Sequence, residues 1–147
     1  MRMDAEFGNA GDTDTRGTGW FVGFSDWVRE SASSDLRHVP GGSLLEGLSV
    51  KWMHHPAGDG RGLDKPVSQG RTLSILVSPA GRFRIQLSRH PDFPAGAIVE
   101  HVLQRHGDFS VWGAGIHHRW FVDADSIVLT IRWAPVERGV AASVSAA

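Results

Sequence analysis

Two histidine pairs carry most of the chemistry open to this chain. His117 and His118 leave a glycine-rich turn, Gly113-Ala114-Gly115, and His54 and His55 close an alternating segment that starts at Leu48. An imidazole can shuttle a proton near neutral pH, hydrogen-bond a ligand or bind a metal ion. Neighbours along a strand point to opposite faces, so only one member of each pair reaches a given site and the two cannot share an ion. His118 is the leading candidate for a general acid/base or a metal ligand, and His54 is the second histidine of interest. There is no Cys, which excludes disulfides, thiolate metal ligands and cysteine nucleophiles.

Other side chains suit binding rather than chemistry. Six tryptophans and seven phenylalanines accompany no tyrosine. Trp52, Trp112 and Trp120 lie near the histidines, where a flat apolar face with an N–H donor can stack on a sugar or an aromatic ring. Core and interface packing is the alternative role. Arg84 and Gln86 alternate with Phe83, Ile85 and Leu87, so either set can line a polar pocket or face water. No nucleophilic triad, phosphate loop or nucleotide fingerprint is present despite 18 glycines.

The elements that must position these residues are short. Turn-forming clusters recur at Pro40-Gly41-Gly42, Pro56 to Gly60, Ser78 to Gly81, Phe93 to Gly96 and Gly113 to Gly115, which leaves room mainly for strands. Leu48 to His54 alternates, with Val50, Trp52 and His54 on one side and Ser49, Lys51 and Met53 on the other. Thr72 to Val77 and Arg82 to Leu87 flank a Pro/Gly turn and read as a hairpin. Ser126 to Trp133 is the strongest strand, and Ala97 to Gln104 fits a strand or a helical turn. Only Ser25 to Ser31 looks helical, with Ser25 as its N-cap. Many short strands in 147 residues predict one all-β domain, a sandwich or small barrel. Residues 1–19 read as a loose leader, 20–136 as the domain and 137–147 as a tail.

The segment from Gly107 resembles the second conserved motif of the cupin superfamily. Gly107, five residues, Gly113-Ala114-Gly115, two residues and His118 follow its spacing, with Gly113 where proline is usual and Val122 where asparagine is usual. The resemblance implies a double-stranded β-helix, or jelly roll, over roughly residues 50–133. The family's first motif supplies two histidines and a glutamate to a metal. Counting back from Gly81 puts these positions between about Pro66 and Ser74, a stretch without His or Glu. Three of four customary ligands are missing, so no cofactor is expected. A divalent metal would need His118 with improvised partners such as His54. Arg71 falls among the customary ligand positions, where it could hold a carboxylate.

The expected function is binding of a small organic ligand, sugar-like or carboxylate, in the barrel. The alternatives are a metal-dependent cupin enzyme of the dioxygenase or isomerase class, and a noncatalytic dimeric module. Homodimerisation follows from the resemblance and from edge strands that need covering. A net charge of −1 without a basic run argues against nucleic acid. The absence of a long apolar stretch argues against a membrane span, and a cytoplasmic location is the default.

Overall fold

The structure is a computed structural model and describes residues 4–24, 36–39, 42 and 44–136. The strands are β1 (Ala5–Asn9), β2 (Leu44–His55), β3 (Arg71–Leu76), β4 (Ala80–Ser88), β5 (Val99–Arg105), β6 (Asp108–Trp112), β7 (His117–Ala124) and β8 (Ser126–Val136). They form a five-stranded sheet in the order β1-β6-β3-β8-β2 and a three-stranded sheet in the order β5-β4-β7, with antiparallel pairing throughout. This is an all-β jelly roll. No helix among the described residues is long and apolar enough to cross a membrane.

Strand alternation builds two cores. Between the sheets, Phe83, Ile85 and Leu87 of β4 and Trp120 and Val122 of β7 meet Leu76, Trp112 and Val128 of the larger sheet. A second cluster lies on the outer face of the larger sheet, where Phe21, Val22, Phe24, Leu36 and Val39 cover Leu73, Phe109, Val111 and Trp133. Both faces of β3, β6 and much of β8 are therefore largely buried. Arg37, buried in this outer layer, donates to Glu6 at 2.6 Å and to the Phe21 carbonyl, and its guanidinium lies over the rings of Phe21 and Phe109.

Several expectations change. The expected loose leader contains β1, which pairs with β6 in register Phe7↔Ser110. Phe7 stacks on His101 at 4.6 Å between ring centroids and packs on the inner core, so one well-placed aromatic outweighs a polar, glycine-rich setting. β3 and β4 do not form a hairpin. β3 is paired on both edges by β6 and β8, and β4 by β5 and β7, so the Ser78-Pro79 turn carries the chain from one sheet to the other. Val99–Arg105 is strand rather than helix because its alternate residues pair across β4. The helix expected over Ser25 to Ser31 and the tail over 137–147 lie outside the described residues.

The smaller sheet has one strand fewer than a symmetrical sandwich would have. Residues 56–70, which follow β2, run along the open edge of β7 instead. Gly58 N donates to Val122 O at 2.8 Å, Trp120 N to Gly62 O at 3.2 Å, and Ser68 N to Ile116 O at 3.1 Å. Gly62 is needed here, since a Cβ at that position would lie 2.1 Å from the Trp120 carbonyl oxygen. The loop thus closes the barrel beside His118.

Candidate functional site

His118 owes its position to the turn before it. Gly115 has φ +81°, in the left-handed region, and its N–H donates to Ser68 O at 2.8 Å. Gly113 keeps the N–H that a proline would lack, and that N–H donates to Asp4 O at 3.0 Å. From this turn β7 enters in register Leu87↔His118 and Ile85↔Trp120, so His118, Trp120 and Val122 point inwards. His118 is 8% exposed and packs on Trp112, with ring centroids 5.2 Å apart, while the Trp112 indole N–H donates to Ser68 Oγ at 2.9 Å.

Facing it across the barrel is a polar stripe on the larger sheet. The registers Thr72↔Arg132, Ser74↔Thr130 and Lys51↔Thr130 put these five side chains on one face. They line a cavity of ≈ 30 Å³ that His118 and His55 also border. A volume of this size suits a water or a carboxylate head group. His118 also borders an open cleft of ≈ 590 Å³ with Leu63, Lys65, Pro66 and Phe93. Lys65 Nζ sits over the Trp120 ring, 5.6 Å from its centroid.

The electrostatics are one-sided. Burial lowers the His118 pKa to about 4, and Arg132, Lys65, Lys51 and His117 add to the effect. The Lys51 pKa is also lowered, first by burial and then by Lys65, Arg132 and Arg61. Among the described residues, no carboxylate pairs with Lys51, Lys65 or Arg132. Two buried polar atoms of the same cavity, His118 Nδ1 and Thr72 Oγ1, make no hydrogen bond within the protein. Such groups are seldom left unpaired in a folded chain.

The second histidine of the lumen is His55. Its Nδ1 lies 2.9 Å from Asp59 Oδ2, and both side chains are buried. Asp59 is held in turn by Arg61, at 2.8 and 2.7 Å, and its carboxyl lies well below the ordinary range, mainly through that hydrogen bond. Burial lowers the His55 pKa against the pull of Asp59. An ionised carboxylate only accepts, so the neutral ring carries its proton on Nδ1 and leaves Nε2 as an acceptor. Asp59→Asn removes the negative charge that raises the His55 pKa and leaves only a weaker, neutral acceptor for the Nδ1–H. In that variant the His55 titration, followed by NMR, shifts further down and folding stability falls by about 1–3 kcal/mol. An unchanged titration would contradict the pairing.

The other expected site residues lie elsewhere. Trp52 and His54 face outwards on β2, with Trp52 65% exposed. Arg71 lies on the outer side of β3 and donates to His38 O at 3.2 Å. Arg84 and Gln86 belong to a polar network outside the smaller sheet, with Arg84 on Asp123 and Glu100 and Gln86 on Glu100 and Arg119. Trp112 and Trp120 do face inwards but are packed into the core, without an open ring face for stacking. The lumen is instead built from His118 and residues that were not site candidates in the sequence, His55, Lys51, Arg132 and three hydroxyls, with Lys65 in the adjoining cleft. Their signal was parity. Thr130 and Arg132 alternate with Ile131 in an otherwise apolar strand, and His55 shares a face with Lys51.

The architecture, with His118 at the start of β7 facing a sheet of order β6-β3-β8-β2, decides the structural class. The fold is a jelly-roll barrel. No family model matches the sequence, and no curated protein matches it. Among solved structures the chain is similar to Streptomyces albus HEPD with substrate 2-hydroxyethylphosphonate and Fe(II) bound, at 13% identity and a TM-score of 0.47. The similarity covers 68% of this chain and 21% of that one, so the chain spans about a fifth of that protein's length.

The metal site that the resemblance to cupins implies is not matched by the donors among the described residues. Among the described residues no three His, Cys, Asp or Glu side chains converge. His55 commits one nitrogen to Asp59, Thr72 and Ser74 stand near the expected glutamate position, and three cations surround His118.

Proposed function

We propose that this protein binds a small organic carboxylate in its barrel without the help of a metal ion. The observation that carries the reading is the cluster of Lys51, Lys65 and Arg132 around His118, with no counter-charge among the described residues. A bound carboxylate neutralises this cluster and accepts from the guanidinium and ammonium groups by charge-assisted hydrogen bonds. It also gives His118 Nδ1 and Thr72 Oγ1 the partners they lack. The cavity of ≈ 30 Å³ limits what enters fully to the head group, and the cleft of ≈ 590 Å³ holds the remainder of the molecule. A sugar is disfavoured, because Trp52 faces outwards and Trp112 and Trp120 are enclosed by core side chains. The neutral His118 and the His55–Asp59 pair are the groups available for proton transfer to such a ligand.

A thermal-shift screen of small carboxylic acids against their amides, at constant ionic strength and in the presence of a chelator, tests the reading. A cognate acid at about a hundred times its Kd stabilises the fold by about 2.7 kcal/mol, which corresponds to roughly 5–10 °C in Tm for a chain of this length. The matching amide gives no shift. Equal shifts from acid and amide, or none from any acid, would contradict an anion site.

A further inference from the structure

We propose that Lys51 is a catalytic amine that forms an imine with a 2-oxo acid bound in the lumen. The inference rests on the carboxylate reading above and adds a carbonyl group next to the carboxylate. The sequence holds two lysines against thirteen arginines, and both lysines, Lys51 and Lys65, stand close enough to His118 to act on its charge. Everywhere else in the chain the basic residue is arginine. Charge alone does not explain lysine at this site, because a guanidinium binds a carboxylate at least as well. What lysine adds is a primary amine that can lose its proton and become a nucleophile.

The two lysines are placed differently. Lys65 Nζ lies over the Trp120 ring, 5.6 Å from its centroid, and supplies charge. Lys51 lines the cavity of ≈ 30 Å³ together with His55, His118 and Arg132. It pairs with Thr130 across β2 and β8, and Arg132 is two residues further along β8, so Lys51 and Arg132 are diagonal neighbours on one face. Such neighbours stand about 7–8 Å apart, within the common reach of two long side chains. A 2-oxo acid has its carboxylate and ketone on adjacent carbons, so the guanidinium can hold the first while the amine meets the second. Partial burial and the cations Lys65, Arg132 and Arg61 lower the Lys51 pKa, which raises the share of neutral amine. In the step itself the Nζ lone pair forms a C–N bond to the ketone carbon, and the carbonyl π pair moves onto oxygen. One proton passes from nitrogen to that oxygen, a second is the one the ammonium gave up at the start, and the oxygen leaves as water. A protonated imine remains, and no oxidant or reductant is consumed. His55 and His118 border the same cavity and can relay the protons.

Reductive trapping with pyruvate and cyanoborohydride, followed by peptide mapping, tests this. The chain gains one carboxyethyl group, on Lys51, and lactate, which has the carboxylate without the ketone, protects against it. In Lys51→Arg, which keeps the charge, labelling of the whole chain falls to background. Arg132→Met retains the amine but loses the carboxylate anchor, and its labelling slows about tenfold. Methyl pyruvate, the uncharged ester, labels the wild type about tenfold more slowly than pyruvate, each measured relative to free lysine. Circular dichroism confirms that both variants stay folded, as the replaced side chains are exposed. No adduct, or one shared evenly among Lys51, Lys65 and the α-amino group, would overturn the assignment. Pyruvate that raises the Tm without labelling Lys51 would overturn the imine and leave the carboxylate reading standing. Equal labelling by pyruvate and its ester would overturn both.

Discussion

Replacing Arg132 with Met weakens carboxylate binding about ten- to a hundredfold and leaves the Tm of the ligand-free protein unchanged or raised. The binding loss is that of a charge-assisted hydrogen bond, about 1.5–3 kcal/mol. The effect on stability has the opposite sign because Arg132 makes no ion pair among the described residues and lies close enough to Lys51 to lower its pKa. Removing one cation relieves repulsion that the folded ligand-free state otherwise carries. Lys51→Met acts in the same two directions. An arginine with a merely structural role would do the reverse, lowering Tm and sparing affinity. Calorimetric titration together with thermal melts of the two variants distinguishes these cases. Sites that gain stability when a binding residue is removed are a common mark of function.

The second large effect concerns acid. His118 is buried and neutral, with a pKa lowered from 6.5 to about 4. In the unfolded chain the same imidazole titrates at its ordinary value, so between these limits the unfolded state binds more protons than the native one. The sign follows: the stabilising contribution is complete above pH 6.5 and is lost as the pH falls from there to about 4. At 1.36 kcal/mol for each pH unit, the full loss is about 3 kcal/mol. His118→Asn abolishes this part of the acid sensitivity while His55, whose pKa is also lowered, remains in both proteins. Urea unfolding at several pH values between 7 and 4 should give a shallower dependence on pH in the variant. Parallel curves would show that His118 is not held neutral inside the fold.

The sequence made the fold legible through spacing and the site only through parity. Dense turn clusters and alternating segments led to an all-β barrel, and the Gly107 to His118 spacing marked the turn that delivers the inward histidine. Strand pairing was less accessible. Ser78 to Gly81 looks like a hairpin turn locally, and nothing nearby in the chain reveals that β3 is already bonded on both edges. β1 was hidden among glycines and acids because its stabilisation comes from Phe7 against His101, far away in sequence. In the site, the face of a strand decided everything. Val50, Trp52 and His54 were grouped correctly, but they form the outward face, and the opposite set, Lys51 with His55, lines the lumen. An exposed tryptophan is unusual, so the aromatic side of β2 was the natural inward choice from sequence.

The absence of the first-motif ligands was also visible in the sequence, but their replacement was not. Lys65 comes from a loop that takes the place of a strand along β7, and Lys51 and Arg132 come from strands far apart in the chain. Only the three-dimensional arrangement shows that Lys51, Lys65 and Arg132 stand close enough to His118 to act on its charge. The His55–Asp59 pair depends likewise on a tight turn, in which Asp59 N donates to Pro56 O at 3.0 Å and brings the carboxylate back to the ring.

The most direct test of a metal-independent anion site is isothermal titration of protein dialysed against chelator, using a carboxylic acid found by screening and its amide as a matched pair. The account predicts saturable one-to-one binding of the acid, no measurable binding of the amide, loss of affinity in Arg132→Met, and no change on adding Fe(II), Mn(II), Ni(II) or Zn(II). Binding of the acid only after one of these metals is restored, with that metal lost in His118→Ala, would contradict it.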